Sequence, residues 1–217
     1  MNNIFDNIVW HSLNGPQSKY SLGTSEIRRF APGFSPIIGF ADPQRPNFAA
    51  LIPFCETGEH FYCDAWSGPA PDGWQIEKEA VMFKMIWQGA CPDNDEAPEA
   101  IPLGARHAPL ALELATLTRP GPFGLRTIEL GDYFGFFDGE RLMAMAGERF
   151  QAGSLREISG VCTHPDFQGR GYVIRRQMQR GETPVLHVIR ENTNAVRLYE
   201  RMGFRLHRES TVRVVFR

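Results

Sequence analysis

One stretch of sixteen residues, Glu157 to Tyr172, constrains the fold more than any other part of the sequence. Its first part, Ile158 to Thr163, combines apolar β-branched residues with small ones, which predicts a buried strand. Pro165 ends this strand because proline has no N–H group to donate. Gln168-Gly169-Arg170-Gly171 follows, and Tyr172 to Arg180 can form a helix. The order of strand, glycine turn and helix predicts an α/β arrangement.

The glycine turn is suited to binding an anion. Small residues allow several backbone N–H groups to converge, and a helix N-terminus carries about half a positive charge. Arg170 adds a side-chain cation. The segment lacks the Gly-Lys-Ser/Thr of a P-loop, and it lacks the third glycine and later acid of a dinucleotide fingerprint. We therefore predict a diphosphate site at Gln168 to Tyr172, with a plain turn as the alternative.

Two motifs in the C-terminal third resemble those of the GNAT acetyltransferases. Val-Cys-Thr-His-Pro-Asp-Phe-Gln-Gly-Arg-Gly-Tyr, from Val161 to Tyr172, is similar to the acetyl-CoA-binding core of that superfamily. Glu191 to Glu200, followed by Met202-Gly203-Phe204, resembles its late helix and turn. The motifs occur in the expected order, with a strand-like run, Pro184 to Ile189, between them. The resemblance covers about residues 106–217 and implies the GNAT fold for that part of the chain.

The sequence predicts a mixed α/β sheet in two regions. Ala90 to Pro98 is rich in proline and acids, which is typical of a linker. We therefore predict an α+β region at residues 1–97, which shapes the acceptor site, and an acetyltransferase domain at residues 98–217. The order of elements makes the first region a candidate degenerate copy of the GNAT lobe.

The resemblance also implies which residues hold acetyl-CoA, the expected co-substrate. In the family, main-chain groups of the core strand bind the pantetheine arm and the acetyl carbonyl, and a glycine-rich loop binds the diphosphate. An asparagine near the late helix often contacts the cofactor. The matching positions here are Val161, Cys162 and Thr163 for the strand, Gln168, Gly169, Arg170, Gly171 and Tyr172 for the loop, and Asn192 for the asparagine.

Two residues are predicted to act in catalysis. Tyr199 matches the tyrosine that family members use to protonate the departing thiolate, and a phenol is protonated beforehand at neutral pH. Glu157 begins the core strand, where a carboxylate can accept a proton from the amine directly or through water. Glu148, on the preceding predicted strand, is the rival base. Tyr199 as a packing residue and the two acids as exposed strand ends are the structural alternatives.

Cys162 and His187 each have a structural interpretation beside a functional one. Cys162 could form an acyl-cysteine with His164 as its base, since the two residues share a strand face. A buried, apolar cysteine is the simpler interpretation. His187 lies within an apolar strand and is interpreted as a hydrogen-bonded core residue.

Composition limits the remaining possibilities. The net charge is −2, but residues 1–100 hold 6 basic and 13 acidic side chains, whereas residues 101–217 hold 17 basic side chains, all arginine, and 12 acidic ones. Scattered arginines suit phosphate binding better than nucleic-acid binding. No apolar run is long enough to span a membrane, and no Cys-x-x-Cys or cysteine–histidine cluster predicts a metal site. Four cysteines without such a pattern suggest reduced thiols and a cytoplasmic location.

The acidic N-terminal region is rich in aromatic residues, namely Phe61, Tyr62, Trp66, Trp74 and Trp87. These side chains either help to hold an amine or pack a core. The expected acceptor is a small-molecule or peptide amine, with no nucleic-acid or membrane partner, and a homodimer is a candidate assembly.

The sequence thus predicts an N-acetyltransferase that moves an acetyl group from acetyl-CoA to a primary amine by direct attack in a ternary complex. A non-catalytic acyl-CoA-binding or protein-interaction module with the same fold is the alternative. Two departures from the family pattern keep that alternative open: Val173 stands where a small residue is usual, and the run between Gly171 and the next strand is short.

Overall fold

A computed structural model of the chain describes residues 4–89, 99–164 and 182–217. Within these residues, eleven strands form one mixed sheet with the spatial order β1-β2-β3-β4-β11-β5-β10-β9-β8-β7-β6. The strands are β1 (Ser21–Gly23), β2 (Ile27–Phe30), β3 (Ile37–Phe40), β4 (His60–Asp64), β5 (Gln75–Trp87), β6 (Ile101–Leu103), β7 (Tyr133–Asp138), β8 (Arg141–Ala152), β9 (Leu155–Thr163), β10 (Thr183–Ile189) and β11 (Phe204–Phe216). The predicted mixed α/β architecture is confirmed.

The strand order repeats itself along the chain. β1, β2 and β3 are antiparallel neighbours and β3 pairs in parallel with β4; β7, β8, β9 and β10 repeat this arrangement. Each set of four is followed in the chain by one more strand, β5 or β11. These two strands are exchanged between the sets, because β5 pairs with β10 and β11 pairs with β4. β5 and β11 also pair with each other at twelve positions in the centre of the sheet. This order supports the idea that the N-terminal region is a reduced copy of the C-terminal half.

The exchange of strands makes the sheet continuous across the predicted boundary between residues 97 and 98. β5 belongs to the first region by sequence but lies between β10 and β11 of the second. The segment predicted as a linker, residues 90–98, lies outside the described residues. The division of the chain into an α+β region at residues 1–97 and an acetyltransferase domain at residues 98–217 stays a prediction.

Helices cover both faces of the sheet. The α-helices are α1 (Ile8–Leu13), α2 (Ala108–Thr118) and α3 (Thr193–Arg201). The structure also contains short 3-10 helices at Ile4–Asn7, Ser18–Tyr20, Ala105–His107 and Thr127–Glu129, and a longer one at Phe48–Phe54. Neighbouring residues of a strand point to opposite faces. Val185 of β10 packs with α1, whereas Leu186 packs with α3 residues. α1 and α3 therefore lie on opposite faces.

The sequence pattern missed several features. The apolar pattern of the sequence predicts two separate strands, Trp74 to Ile76 and Ala80 to Trp87, but β5 is one strand of thirteen residues. Its exposed charged residues interrupt the apolar pattern, but its pairing with β11 continues through them. β1, β2 and β6 are too short to give a periodic signal. The helix predicted at Tyr172 to Arg180 lies outside the described residues.

Most of the N-terminal aromatic residues form a core. Phe61, Trp66 and Trp74 are at most 4% exposed, and the ring of Phe48 lies 4.9 Å from that of Trp66 and 5.1 Å from that of Trp74. Trp87 packs near α3 and donates a hydrogen bond to the carbonyl of Met202. These four tryptophan and phenylalanine positions of the predicted set serve packing, and Tyr62 alone of that set lines the cavity described below.

Candidate active site

The neighbouring strands β9 and β10 separate halfway along their length. They pair in parallel at three positions, the last of which joins Glu157 to Val185. Beyond this point β10 continues beside β5 through Ile189, and β9 continues beside β8 through Thr163. A gap therefore opens in the sheet beside the predicted core strand, Ile158 to Thr163.

A bulge in β9 shapes one edge of this gap. Ser159 pairs with Gly147 and Cys162 with Met145, so β9 has an additional residue between these pairs. Gly160, within the bulge, has a φ of 60°, a conformation that suits glycine. A Cβ atom there would lie 3.0 Å from Cε1 of Tyr133. As a result, Val161 packs toward the α3 face and Cys162 toward α2.

A cavity of about 520 Å³ lies in and beside the gap. α3 and the turn before it contribute Asn192, Ala195 and Tyr199 on one side. The far side is formed by the loop after α2, from Thr118 to Pro122, and by the N-terminal half of the sheet, including Tyr62 and Asp64. The cavity thus extends from one face of the sheet to the other. An acyl donor and an acceptor that approach from opposite faces would require such a cavity.

The structure places the predicted cofactor residues at different distances from this cavity. Val161 and Asn192 line it. Cys162 is buried behind it against α2, and Thr163 is half-buried at the end of β9. The predicted diphosphate residues Gln168, Gly169, Arg170, Gly171 and Tyr172 lie outside the described residues. Of the predicted cofactor site, the structure therefore describes the strand and the asparagine.

Asn192 has a structural role that the sequence motif does not reveal. Its side-chain oxygen accepts a hydrogen bond of 3.2 Å from the backbone N–H of Ala195, so it is the N-cap of α3. The cap satisfies one of the backbone donors that a helix N-terminus leaves without a partner. This cap helps to define where α3 begins beside the cavity, and it leaves the amide NH₂ group of Asn192 available as a donor.

Tyr199 lies on α3 and lines the cavity. Its ring contacts that of Phe204 edge-on at 6.0 Å. Burial, with a smaller contribution from Cys162, raises the pKa of the Tyr199 hydroxyl to about 12. The phenol therefore remains protonated at neutral pH, and it can serve as a proton donor. Its predicted packing role and its predicted catalytic role are compatible in this position.

Glu157 is buried and held by two partners. Its Oε1 and Oε2 accept hydrogen bonds of 2.7 and 2.9 Å from Arg149, and Nδ1 of His187 lies 2.6 Å from Oε1. Burial alone would raise the pKa of Glu157, but Arg149 and His187 outweigh it and lower the pKa from 4.5 to about 2. Glu157 is therefore ionised at neutral pH, and a carboxylate with so low a pKa is a weak base.

Arg149 and His187 complete a site that the sequence analysis did not assign. A bulge in β8 places both Arg149 and Phe150 opposite Glu157, because Glu148 pairs with Ile158 and Gln151 with Arg156. His187 reaches the same face from β10. The available signal was that His187 is the one polar residue in the run from Pro184 to Ile189. Its contact with Glu157 could not be predicted without the register of β9 and β10.

The two remaining candidates have other surroundings. Glu148 pairs with Ile158, whose side chain packs on the α3 face. Glu148 is not among the described residues that line the cavity. Burial, followed by the charge of Glu182, raises the pKa of Glu148 to about 7. Burial also raises the pKa of the Cys162 thiol to about 12. His164 contacts Arg141 at 2.5 Å. These surroundings favour the interpretation of Cys162 as a buried, unreactive thiol.

Among the described residues, no group of three or more histidine, cysteine or acidic side chains could hold a metal ion. No described helix has the length and hydropathy needed to cross a bilayer.

Comparison with known proteins gives the class to which this fold and cavity belong. The model of the FR47-like protein family matches residues 133–214. The structure assigned as a GNAT-family acetyltransferase from Novosphingobium aromaticivorans is 32% identical to this chain, with a TM-score of 0.86 over 100% of this chain and 99% of that one. No curated protein matches the chain.

Two more distant structures share the fold. A GCN5-related N-acetyltransferase from Kribbella flavida has 14% identity and a TM-score of 0.60, and it covers 100% of this chain and 96% of that one. A GCN5-related N-acetyltransferase-like protein from Streptococcus suis has 15% identity and a TM-score of 0.58, with coverage of 97% and 92%. The full-length match at 32% identity, together with the fold, shows that the chain belongs to the GNAT family of acetyltransferases.

Proposed function

We propose that this protein is an N-acetyltransferase that transfers the acetyl group of acetyl-CoA to a primary amine by direct attack within a ternary complex. The observation that carries the proposal is the separation of β9 from β10 after Glu157, with a cavity of about 520 Å³ between and beside them. Strands that separate leave backbone N–H and C=O groups without ladder partners. An extended chain with amide groups, such as pantetheine, can pair with those groups.

The residues around the cavity suit the two halves of the reaction. The amine nitrogen attacks the acetyl carbonyl and forms the N–C bond, a proton leaves the nitrogen, and the C–S bond breaks. Tyr199 is the proposed donor to the departing sulfur, since its phenol is protonated and lines the cavity. Backbone N–H groups at the β9 bulge, near Val161, are suited to stabilising the oxyanion. The far side of the cavity, near Tyr62 and Asp64, is left for the acceptor.

The remaining parts of the proposal depend on sequence. The diphosphate is assigned to Gln168 through Tyr172 by the motif alone. The acceptor is a small-molecule or peptide amine, and a homodimer remains a candidate assembly. The described cysteines Cys55, Cys63 and Cys162 are free thiols, which fits the cytoplasm proposed as the location. Val173 favours the alternative, a non-catalytic acyl-CoA-binding or protein-interaction module.

The proposal is tested by release of free CoA thiol from acetyl-CoA in the presence of a panel of amines, with mass spectrometry of the products. Wild type should acetylate at least one amine, and Gly171→Glu should lose activity because its carboxylate repels the diphosphate. Folded wild type that binds acetyl-CoA without turnover on any amine supports the non-catalytic module instead.

Tyr199→Phe tests the proposed acid. The substitution removes only the hydroxyl and keeps the edge-on contact with Phe204. We expect kcat to fall by about 10²-fold or more, as is typical for the loss of a general acid, with little change in acetyl-CoA affinity. Stopped-flow detection of thiol release measures the effect. An unchanged kcat would leave Tyr199 with the packing role only.

A further inference from the structure

His187 is a buried side chain in the wall of the cavity. It lies in the middle of β10, and its side chain is 5% exposed. The rings of Phe5 and Phe150 pack against it at 5.7 and 6.4 Å. Because His187 follows the last position at which β10 pairs with β9, its ring lies where the gap between the two strands begins.

The contact with Glu157 determines which nitrogen of His187 carries a proton. Glu157 is ionised at neutral pH, so its oxygens can only accept, and Nδ1 of His187 must donate across the 2.6 Å contact. In a neutral imidazole the other nitrogen, Nε2, then has a free lone pair. Nε2 is buried and has no hydrogen-bond partner within the described residues. A buried polar atom without a partner is unfavourable, so a ligand that supplies an N–H donor is expected to bind there.

Arg149 fixes this arrangement from the opposite side. Its guanidinium donates to both oxygens of Glu157, and a bidentate pair of this kind restrains the carboxylate in one plane. Glu157 therefore orients the imidazole through Nδ1, while its own low pKa makes it a poor acceptor of a proton. The order Arg149, Glu157, His187 leaves Nε2 as the basic atom of the group.

Other charged groups near His187 form ion pairs with one another. Lys84, the neighbour of His187 on β5, pairs with Asp64 at 2.5 Å and donates to the carbonyl of Asp6. On the far side of Phe5, the Asp6 carboxylate pairs with His207 and Arg208 of β11. Arg149 of β8 and Glu157 of β9 are the charged groups in the cluster itself. The Lys84 and Asp6 charges are thus each balanced by a partner.

We propose that His187 accepts the proton from the attacking amine at Nε2, directly or through one water molecule, and that Glu157 and Arg149 are positioning residues. This inference rests on the proposed acetyl transfer. The amine proton moves to Nε2, the nitrogen lone pair forms the N–C bond, and the electrons of the C–S bond leave with sulfur, which takes the proton of Tyr199. His187 then releases its proton to solvent and the Tyr199 phenolate takes one up from solvent, so that protons and electrons balance over one turnover.

The test compares His187→Asn with His207→Asn. An asparagine NH₂ group can still donate to Glu157 but offers no basic nitrogen. His207 is a matched control because it also pairs with a carboxylate and packs on Phe5, yet it is not among the described cavity-lining residues. Three quantities are measured: acetyl-CoA affinity by calorimetry, kcat, and the pH profile of kcat/KM for the amine.

We expect His187→Asn to bind acetyl-CoA within about twofold of wild type, to lose about 10²- to 10⁴-fold in kcat, and to lose the acidic limb of its pH profile. His207→Asn should retain both the rate and the limb. In wild type, imidazole NMR signals of His187 should report the Nδ1–H tautomer. If His187→Asn does not fold, the pH profile and the His187 tautomer of wild type still test the proposal. An Nε2–H tautomer, or a pH profile without an acidic limb, overturns it.

The possible failures are distinguishable. Folded wild type without turnover on any amine overturns the acetyl transfer together with the role of His187. Turnover by wild type, combined with an unchanged rate and acidic limb in His187→Asn, overturns only the role of His187.

Discussion

At the scale of single residues, the ion pairs of Glu157 connect folding to chemistry. The same contacts that lower its pKa to about 2 also orient His187. Arg149 and Glu157 therefore form a buried ion pair, in which the loss of either charge leaves the other without its partner, and this is strongly unfavourable.

The depressed pKa of Glu157 predicts how stability depends on pH. The folded pKa of about 2 lies below the ordinary value of 4.5, so the stabilisation is present above about pH 4.5 and is lost as the pH falls toward 2. This difference between the two pKa values corresponds to about 3 kcal/mol in the free energy of unfolding. Urea unfolding at a series of pH values should show that Glu157→Gln reduces the slope of the free energy of unfolding in this window.

Glu129→Gln is the control for this measurement. Glu129 is also paired with an arginine, Arg126, and its pKa is also lowered, but the pair is largely exposed. Solvent screens such a pair, so its removal should change the slope little. Equal slopes for wild type and Glu157→Gln would contradict the buried ion pair.

The residues of the site differ in how well the sequence predicts them. Tyr199 and Asn192 follow from motifs, because each occupies a fixed position on one helix. Glu157 is predicted at the start of the core strand, whereas β9 begins at Leu155, and the strand gap beside Glu157 has no signal in the sequence. Arg149 and His187 belong to other strands, and their contact with Glu157 depends on the β8 bulge and on the register of β10, which no local pattern encodes.

At the scale of elements, α3 has two functions that meet at Asn192. The side chain caps the helix and lies at the cavity. We expect Asn192→Ala to lower the free energy of unfolding by about 1 kcal/mol, the usual effect of removing a cap. Asn192→Asp keeps the capping oxygen and should retain most of that stability.

The same two variants separate capping from cofactor binding. Asn192→Asp replaces the NH₂ donor with an acceptor that carries a negative charge, so acetyl-CoA affinity should fall by about tenfold, or 1.4 kcal/mol. Thermal unfolding and calorimetry measure the two effects. Affinity equal to wild type in both variants would contradict the predicted contact of Asn192 with the cofactor.

Elements with a complete local signal were predicted well. The apolar run Ile37 to Phe40 predicts a short strand, which is β3, and the turn Asp138 to Arg141 predicts the hairpin that β7 and β8 form. β9 includes the predicted strand Ile158 to Thr163. β5 was divided in two because charged residues interrupt its apolar pattern. Its continuity comes from its pairing with β11, which is distant in sequence. Local pattern therefore identifies elements, whereas long-range pairing fixes their length.

At the scale of the whole molecule, the exchange of β5 and β11 joins the two halves. Residues 98–217 alone would lack β4 and β5, so β10 would lose its neighbour on one side and β11 would lose both of its neighbours. Exposed strand edges of this kind favour association with other chains. We expect this fragment to aggregate or to remain unfolded, as measured by circular dichroism and urea titration, and to gain structure when residues 1–97 are added.

A cooperative unfolding transition for residues 98–217 alone would contradict this expectation and would establish the two predicted regions as independent domains. The sequence could not predict the exchange, since β5 and β11 have no sequence feature that distinguishes pairing within a half from pairing across the halves.

The gap between β9 and β10 is proposed to receive the pantetheine arm of acetyl-CoA, and calorimetry of acetyl-CoA binding tests this proposal. Val161→Trp fills the gap with a larger side chain, and Leu206→Trp, at a position that is 51% exposed, controls for the added ring. We predict binding by wild type with a dissociation constant on the order of 1 μM, equal binding by Leu206→Trp, and binding at least about 100-fold weaker by Val161→Trp. Folded wild type that does not bind acetyl-CoA, or Val161→Trp that binds it as wild type does, would contradict binding of pantetheine in the gap.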